Sequence, residues 1–378
     1  MQKIYFDNAA TTPIDKDVIS VISQSMIDYF GNPSSTHQFG RSAKAMVERS
    51  RKSIANIFNC TASEIVFTAG GSEADNLILH NAVSNLGVKR IITSEIEHHA
   101  VVHTIQALKI DFTIDVEFVR LNEKGEIDYD HLNSLLKNSP IKTLVSLMQV
   151  NNEIGNILDI EKVVTICQNN KALFHSDTVQ GIAHVEIDLQ KTPVDFICAS
   201  AHKFHGPKGV GFAIFKKGFG IQPILHGGEQ ERGSRAGTEN THSIIGMEKA
   251  LSIAIDNFDH DKKYILELKN YFIEKIKENF WDIAFNGYSN DEFKGAFHIL
   301  NIRFPKEIPM LLFNLDLKGI AASGGSACQS GSNKGSHVLN TILTESDAQK
   351  TSVRFSFSKY NTKEEIDYVI KVLKEIVK

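Results

Sequence analysis

Cysteine is scarce in this 378-residue sequence, and the few cysteines present are widely spaced. The four of them, at positions 60, 167, 198 and 328, form no CxxC pair, which argues against a zinc site and against a disulfide framework. No apolar run approaches the length of a membrane span. The stretch MQKIYFDNAATTP lacks a cationic segment followed by an apolar core, so we expect no secretory signal there. These absences predict a cytoplasmic protein.

A large excess of charge of one sign is also missing, since the formal net charge is only −4. The sequence contains no basic run of the kind that binds nucleic acid. We therefore expect no direct binding of nucleic acid or membrane. A hydrophobic content of 42% with 23% charged residues is ordinary for a globular protein. The length exceeds what one hydrophobic core usually supports, so we expect one large domain and a smaller one.

The surroundings of Cys328 differ from those of the other three cysteines. Cys198 lies inside an apolar stretch and is predicted to be a buried small hydrophobe, and Cys60 and Cys167 look similar. Cys328 lies in AASGGSACQSGSNKG, where small and polar residues leave almost nothing to bury. We therefore expect an exposed thiol, which in a reducing compartment is either tolerated or used.

Short apolar runs alternate with helical patterns from about residue 60 to 215, which predicts βαβ units and a mainly parallel sheet. The predicted strands are 64–68, 90–93, 143–147, 172–176, 194–200 and 211–215. Residues 243–280 are predicted to be largely helical and to lead into the second domain. The sequence therefore predicts an α/β fold, in which a mixed, mainly parallel sheet is flanked by helices.

The second domain is predicted to be a smaller α+β unit. Its strands are 297–304 and 352–358, and Thr362 with Glu365 forms a capping box for a closing helix. The predicted boundaries are 15–255 for the large domain, and 1–14 together with 256–378 for the small domain.

Unusual polar residues collect after the predicted strands, where open α/β sheets bind their ligands. After strand 64–68, AGGSEADN places two glycines and Ser72 at the start of a helix. The free backbone N–H groups of such a turn suit a phosphate, and Ser72 can add a hydroxyl. The alternative is an ordinary strand–helix turn with Ser72 as its N-cap.

Four further stretches follow strand ends: SEIEHHA, MQVNNEIG, DTVQG and SAHKFHGPKGVG. Each has an ordinary interpretation, namely a satisfied surface histidine, turn amides, an N-capping aspartate and a solvated lysine. A lysine directly after a buried strand is nevertheless unusual, because burial disfavours its charged form. A partly desolvated amine is a good nucleophile toward a carbonyl carbon.

Taken together, these stretches offer a phosphate cradle, a ring-facing histidine, an aspartate, a glutamine and a lysine on one rim of the sheet. Pyridoxal phosphate needs a lysine for its aldehyde, a carboxylate for its pyridinium nitrogen, and donors for its phosphate and phenolate. The combination therefore predicts a pyridoxal phosphate site in which Lys203 anchors the aldehyde.

Ten motifs, in order along nearly the whole chain, resemble those of cysteine desulfurases, which belong to the class V aminotransferase family of fold-type I pyridoxal phosphate enzymes. They are FDNAATTP (6–13), GNPSSTH (31–37), SEADN (72–76), EHHAV (97–101), NNEIG (151–155), HSDTVQ (175–180), SAHKFHGPKGVG (200–211), ERGSRAGT (231–238), SGGSACQSGS (323–332) and VRFSFS (353–358). The family converts L-cysteine to L-alanine and leaves a persulfide on an active-site cysteine. The sulfur then passes to iron–sulfur scaffold proteins or tRNA-thiolation acceptors.

The resemblance implies three catalytic residues. Cys328 would accept the sulfur on a loop spanning about 320–336, Lys203 would anchor the cofactor and move protons at the substrate α-carbon, and His98 would stack on the ring. No metal is implied.

The remaining implied roles concern cofactor and substrate. The implied cofactor-binding set is Lys203, Gly71, Ser72, His98, Asn152, Asp177, Gln180, Ser200, His202 and Thr238. Within it Asp177 pairs with the pyridinium nitrogen, and Thr238 reaches the phosphate from the second subunit of a homodimer. Arg354 and Asn152 are implied to bind the substrate carboxylate. Arg354 alternates with apolar residues on its strand, so a solvated arginine is the alternative there.

One stretch departs from the family pattern. Asn333, Lys334 and Gly335 precede the pair Ser336-His337, where many relatives carry an acidic residue and a proline. The loop length resembles that of the group associated with general and nitrogenase-linked cluster assembly.

Two other interpretations stay open at this point. A selenocysteine lyase or another class V aminotransferase would share everything except dependence on Cys328. A non-catalytic sulfur carrier would keep Cys328 without needing Lys203.

Overall fold

The computed structural model describes residues 3–324 and 335–377. The strands in this part of the chain are β1 (Ile4–Tyr5), β2 (Ile65–Thr68), β3 (Arg90–Thr93), β4 (Asp115–Phe118), β5 (Thr143–Ser146), β6 (Leu173–Ser176), β7 (Phe196–Ser200), β8 (Gly211–Phe215), β9 (Ala284–Phe285), β10 (Ile299–Arg303), β11 (Ile320–Ala321) and β12 (Ser352–Ser356).

The α-helices of the same ranges are α1 (Lys16–Asp28), α2 (Gln38–Ile57), α3 (Gly71–His80), α4 (His99–Phe112), α5 (Tyr129–Leu136), α6 (Ile160–Asn169), α7 (Thr241–Asp256), α8 (Phe258–Asn279), α9 (Leu311–Leu317), α10 (His337–Ile342), α11 (Glu345–Ala348) and α12 (Lys363–Ile376). Short 3₁₀ turns span Ala62–Glu64, Ala201–Lys203 and Gln230–Gly233, and Asn81–Asn85 forms a π-helical turn directly after α3. None of the described helices is both long and apolar enough to cross a membrane.

A seven-stranded sheet in the order β2-β8-β7-β6-β5-β3-β4 forms the centre of the larger part of the molecule. β8 runs antiparallel to both of its neighbours, β2 and β7, and the other pairs of this sheet are parallel. Strands such as β2 and β7 are buried along their whole length, as expected for a sheet covered by helices on both faces. The predicted mainly parallel mixed sheet is confirmed.

The edge strand β4 is absent from the sequence prediction. Its four residues, Asp115-Val116-Glu117-Phe118, are exposed or half-buried along their length. An edge strand lies at the border of the sheet, so its sequence need not contain the apolar run that identified the central strands.

The largely helical stretch predicted over 243–280 consists of two helices, α7 and α8. Asn257 ends α7 and begins α8, and its side-chain amide donates a hydrogen bond to the Ile253 carbonyl at 2.8 Å. Asparagine bonds to nearby backbone groups in this way and therefore favours helix ends over helix interiors.

Two smaller sheets belong to the other part of the molecule, an antiparallel sheet β12-β10-β9 and the parallel pair β1-β11. They pack with α8 and α12 around a second apolar core, which includes Ile4 and Phe6 from the N-terminal segment. The predicted capping box of α12 is confirmed, with Thr362 and Glu365 each bonding the other's backbone N–H. The predicted domain boundaries stay a prediction.

Candidate active site

A cavity of about 270 Å³ lies where the parallel strands of the large sheet end. Among the described residues, every site residue named from the sequence lines it except Thr238. These residues are Gly71, Ser72, His98, Asn152, Asp177, Gln180, Ser200, His202, Lys203 and Arg354. Most of them follow different strands, and the carboxyl ends of parallel strands meet at one edge of a sheet. Their convergence is therefore a consequence of the sheet topology.

The start of α3 forms one wall of the cavity. Gly70 is the N-cap residue with φ of 153°, a conformation that glycine adopts readily, and its helix end has no side-chain cap. Ser72 lies inside the helix, so the alternative in which Ser72 caps α3 is wrong. A Cβ on Gly71 would lie only 2.5 Å from Val179 Cγ2, so a glycine is needed for the close approach. The uncapped N–H groups of the first turn suit an anion.

Lys203 lies in the 3₁₀ turn directly after β7 and is half-buried. Its Nζ donates hydrogen bonds to the carbonyl oxygens of Ala9 at 2.7 Å and Ala10 at 2.9 Å. Gln180 Nε2 donates to the same Ala9 oxygen at 2.7 Å. The N-terminal motif FDNAATTP therefore forms a second wall of the cavity, although its individual residues have no role in the sequence prediction.

Asp177 lies directly after β6 and is buried. Its Oδ1 accepts a hydrogen bond from the Val179 N–H at 2.9 Å, and no helix begins there, so the N-cap interpretation is wrong. Burial, and then the neighbouring carboxylate of Asp75, raise the pKa of Asp177, while His98 opposes the shift. Asp75 also lines the cavity and was not identified from the sequence.

The two histidines of the cavity are held by different contacts. His98 is the N-cap of α4, and its Nδ1 accepts the Ala100 N–H at 3.1 Å, so the neutral ring carries its proton on Nε2. The His202 ring nitrogen Nδ1 lies 3.1 Å from Thr11 Oγ1. Burial, followed by the charge of Lys203, lowers the pKa of His202 to about 4. His202 is therefore a neutral hydrogen-bonding group at neutral pH.

Arg354 is buried, with 2% of its surface exposed, so the alternative of a solvated arginine is wrong. Its Nη2 donates to Asp7 Oδ1 at 2.8 Å and its Nη1 to the Asn152 carbonyl at 2.7 Å. Within the described residues its Nε has no hydrogen-bond partner. A buried guanidinium at a cavity wall is suited to bind a carboxylate.

Cys198 is fully buried, as predicted, but it does not behave as a simple hydrophobe. Its thiol donates a hydrogen bond to Asp75 Oδ1 at 3.0 Å. The contact forms between a strand and a helix that are distant in sequence, so the apolar neighbours of Cys198 could not indicate it. Cys167 is also buried, whereas Cys60 is partly exposed.

Thr238 is exposed and lies apart from the other site residues, beside a separate cavity of about 190 Å³. Its loop is held by a buried ion pair, in which both guanidinium Nη atoms of Arg51 donate to Glu231 at 2.7 Å. Arg235 in turn pairs with Glu73 of α3 at 2.8 Å. Within one chain, Thr238 is thus fixed outside the main cavity. Cys328 lies outside the described residues.

Comparison with known proteins shows which family the chain belongs to. A family model described as aminotransferase class-V matches residues 4–369. A cysteine desulfurase IscS from Dictyoglomus turgidum (strain DSM 6724 / Z-1310) is 38% identical over 380 residues, covering 100% of this chain and 95% of that protein.

Two solved structures are also similar. A NifS-like protein superimposes with a TM-score of 0.91 at 33% identity, covering 100% of this chain and 99% of that chain. A structure described as SspA in complex with cysteine gives a TM-score of 0.82 at 29% identity, covering 95% of this chain and 100% of that one. The chain therefore belongs to the class-V aminotransferase family, and within that family to the cysteine desulfurases.

Proposed function

We propose that this chain uses pyridoxal phosphate to convert L-cysteine into L-alanine and transfers the sulfur to Cys328. The observation that carries the proposal is the convergence of Lys203, Asp177 and Arg354 on one cavity. An amine, a buried carboxylate and a buried guanidinium are the groups that a pyridoxal phosphate enzyme acting on an amino acid requires.

The residues around the cavity fit pyridoxal phosphate. Lys203 would hold the aldehyde carbon, Asp177 the ring nitrogen, and the uncapped start of α3 with Ser200 and His202 the phosphate. Gln180 and Asn152 would hold the ring oxygen, and His98, oriented by its helix cap, would face the ring. When bound, the cofactor withdraws electrons from the substrate's α-carbon.

Arg354 is assigned to the carboxylate of L-cysteine. Asp7 and the Asn152 carbonyl hold two of its nitrogens, so the guanidinium is oriented before the substrate arrives. Lys203 is assigned to moving a proton at the substrate α-carbon, because the carbonyl oxygens of Ala9 and Ala10 hold its amine at the cavity wall. The similar structure described as SspA in complex with cysteine supports this substrate.

The sulfur step is assigned to Cys328, whose thiolate attacks the substrate sulfur. A sulfur–sulfur bond forms on Cys328 and the carbon–sulfur bond of the substrate breaks. The electron pair of the broken bond stays on carbon, which is protonated to give the methyl group of alanine. The net change is L-cysteine plus a thiol giving L-alanine plus a persulfide, so atoms and electrons balance.

The persulfide sulfur is proposed to pass to an iron–sulfur scaffold protein, or to another acceptor such as one of tRNA thiolation. The relatives named cysteine desulfurase IscS support a role in sulfur supply. The alternative function is that of a selenocysteine lyase or another class V aminotransferase, and neither depends on Cys328.

The direct test is to incubate the purified protein with pyridoxal phosphate and L-cysteine, and to quantify alanine and protein-bound persulfide. We expect a visible absorption band from the bound cofactor, and alanine and persulfide formed in equal amounts in a single turnover. The cofactor-free protein is the control. Binding of the cofactor without any alanine formation would contradict the proposal.

We further propose a homodimer in which Thr238 reaches the phosphate in the partner's cavity, since Thr238 is exposed and lies outside the main cavity of its own chain. The test is a mixed dimer of Lys203→Ala and Thr238→Ala chains. If Thr238 acts across subunits, this mixed dimer contains one cavity with both residues intact. We expect that cavity to bind the cofactor with parental affinity, about tenfold or more tighter than the Thr238→Ala homodimer binds it.

The matched control is the mixed dimer of parental and Thr238→Ala chains, in which each cavity has its own Lys203 and only one lacks the threonine contact. A fully active monomer in sedimentation would contradict the assignment. So would a Lys203→Ala/Thr238→Ala dimer that binds cofactor no better than the Thr238→Ala homodimer.

A further inference from the structure

A cluster of polar side chains lies behind Asp177, inside the core of the large sheet. It consists of Asp75 on α3, His175 on β6 and Cys198 on β7, each at most 1% exposed. Their ligand atoms all lie within 4.8 Å of one another. The cluster is continuous with the cavity, because Asp75 and Asp177 both line it.

The thiol of Cys198 links the two carboxylates of this region. Its Sγ donates to Asp75 Oδ1 at 3.0 Å and lies 3.5 Å from Asp177 Oδ1. The His175 Nε2 atom lies 3.4 Å from Asp75 Oδ1 but lacks hydrogen-bond geometry, and its Nδ1 is 2.9 Å from Ser146 Oγ. The thiol therefore lies between Asp75 and Asp177, and its single proton is available to either carboxylate.

Two buried carboxylates that both lie within 3.5 Å of one sulfur repel each other and need donors. The raised pKa of Asp177, which burial and then Asp75 cause, reflects this repulsion. Burial and the same two carboxylates raise the pKa of the Cys198 thiol well above its usual range, so it keeps its proton and can donate it.

We propose that Cys198 is a positioning residue for the cofactor, whose thiol holds Asp75 and Asp177 in the arrangement that lets Asp177 bind the ring nitrogen. The proposal rests on the proposed function through the assignment of Asp177. Asp177 Oδ1 is held by the Val179 N–H on one side and faces the thiol on the other, which restricts rotation of the carboxylate.

The same three side chains are also potential ligands for a metal ion. A metal would require the thiolate, because a protonated thiol does not coordinate in the same way. The sulfur instead lies 3.0 Å from Asp75 Oδ1, in hydrogen-bond geometry. We therefore assign the cluster to hydrogen bonding through the Cys198 thiol. The metal content of the purified protein is measured as part of the test.

The test compares Cys198→Ala and Cys198→Ser, with Cys167→Ala as a control at a buried cysteine of α6 that lies outside the cluster. The dissociation constant for pyridoxal phosphate and the visible circular dichroism of the bound cofactor are measured for each. Losing a hydrogen bond to a buried carboxylate predicts about tenfold weaker binding or more for the alanine variant. Its circular dichroism band should also change, because the ring is held less firmly.

The serine variant keeps a donor, so we expect binding within about threefold of the parent. The Cys167→Ala variant should bind as the parent does. Thermal unfolding of the cofactor-free variants identifies any loss due to misfolding, since a purely structural role would lower stability without changing the circular dichroism of the bound cofactor.

A double-mutant cycle with Asp75→Asn tests the bridging directly. Removing the charge of Asp75 removes the repulsion, so Cys198→Ala should then weaken cofactor binding by no more than about threefold. The proposal would be overturned if the two substitutions had independent, multiplicative effects on the dissociation constant for the cofactor. It would also be overturned if Cys198→Ala bound the cofactor as the parent does, or if Cys198→Ser bound it no better than Cys198→Ala. Stoichiometric metal in the purified parent would also overturn it.

Two different results would separate the proposed function from the role of Cys198. A parent that binds no pyridoxal phosphate would overturn both the proposed function and the role of Cys198. A parent that binds cofactor and forms alanine, together with a Cys198→Ala variant indistinguishable from it, would overturn only the role of Cys198.

Discussion

Replacing Cys328 with alanine is expected to abolish the formation of alanine and persulfide from L-cysteine, while cofactor and substrate still bind. The residues assigned to the cofactor and to the substrate carboxylate, including Lys203 and Arg354, are unchanged in this variant. Only the nucleophile that receives the sulfur is lost. Removing a nucleophile that forms a covalent intermediate costs several orders of magnitude in turnover, far more than an ordinary surface substitution.

The measurement is single-turnover quantification of alanine, alongside the change that L-cysteine causes in the visible spectrum of the bound cofactor. Cys60→Ala is the matched control, because it removes the thiol of a partly exposed cysteine that does not line the cavity and should leave turnover unchanged. Near-normal alanine formation by Cys328→Ala would reject sulfur transfer through this residue. It would then favour a lyase that needs no acceptor thiol, such as a selenocysteine lyase.

Replacing Lys203 with alanine is expected to remove the covalent link between protein and cofactor and to reduce turnover by several orders of magnitude. The amine is assigned both to the cofactor aldehyde and to proton transfer at the substrate α-carbon, so one substitution removes two functions. The contacts assigned to the phosphate remain, and the variant can keep the cofactor noncovalently.

Borohydride reduction makes the bond between the cofactor and its lysine permanent. Peptide mapping then identifies which lysine carries the cofactor. Lys208→Ala is the matched control, because this neighbouring lysine is exposed and does not line the cavity. It should give the parental adduct and parental turnover. An adduct on Lys208 or on any other lysine would contradict the assignment of Lys203.

The central strands and the residues that follow them were predictable because both depend on local sequence. A strand buried on both faces must be apolar along its length, and β7 satisfies this condition up to Ser200. Strand ends meet at one edge of a parallel sheet, so the sequence alone predicts Asp177 and Lys203 at that edge. The exposed strand β4 lacks the apolar run and was missed.

Other features depend on contacts between segments that are distant in sequence. The alternation of β12 indicated that Arg354 faces away from its apolar neighbours, but only the packing of Asp7 and Asn152 against it shows that the guanidinium is buried. Likewise, the apolar neighbours of Cys198 predicted its burial but could not show that α3 places Asp75 beside the thiol.

The sequence by itself determined the fold class, the central strands of the large sheet and most of the residues at the cavity, because hydrophobic periodicity and strand-end position are local properties of the chain. Only the tertiary structure decided how those residues are held. Ala9 and Ala10 contact Lys203 across 194 and 193 residues, and Cys198 contacts Asp75 across 123. Hydrogen bonds and burial between such distant segments arise when the elements pack, so no local pattern encodes them.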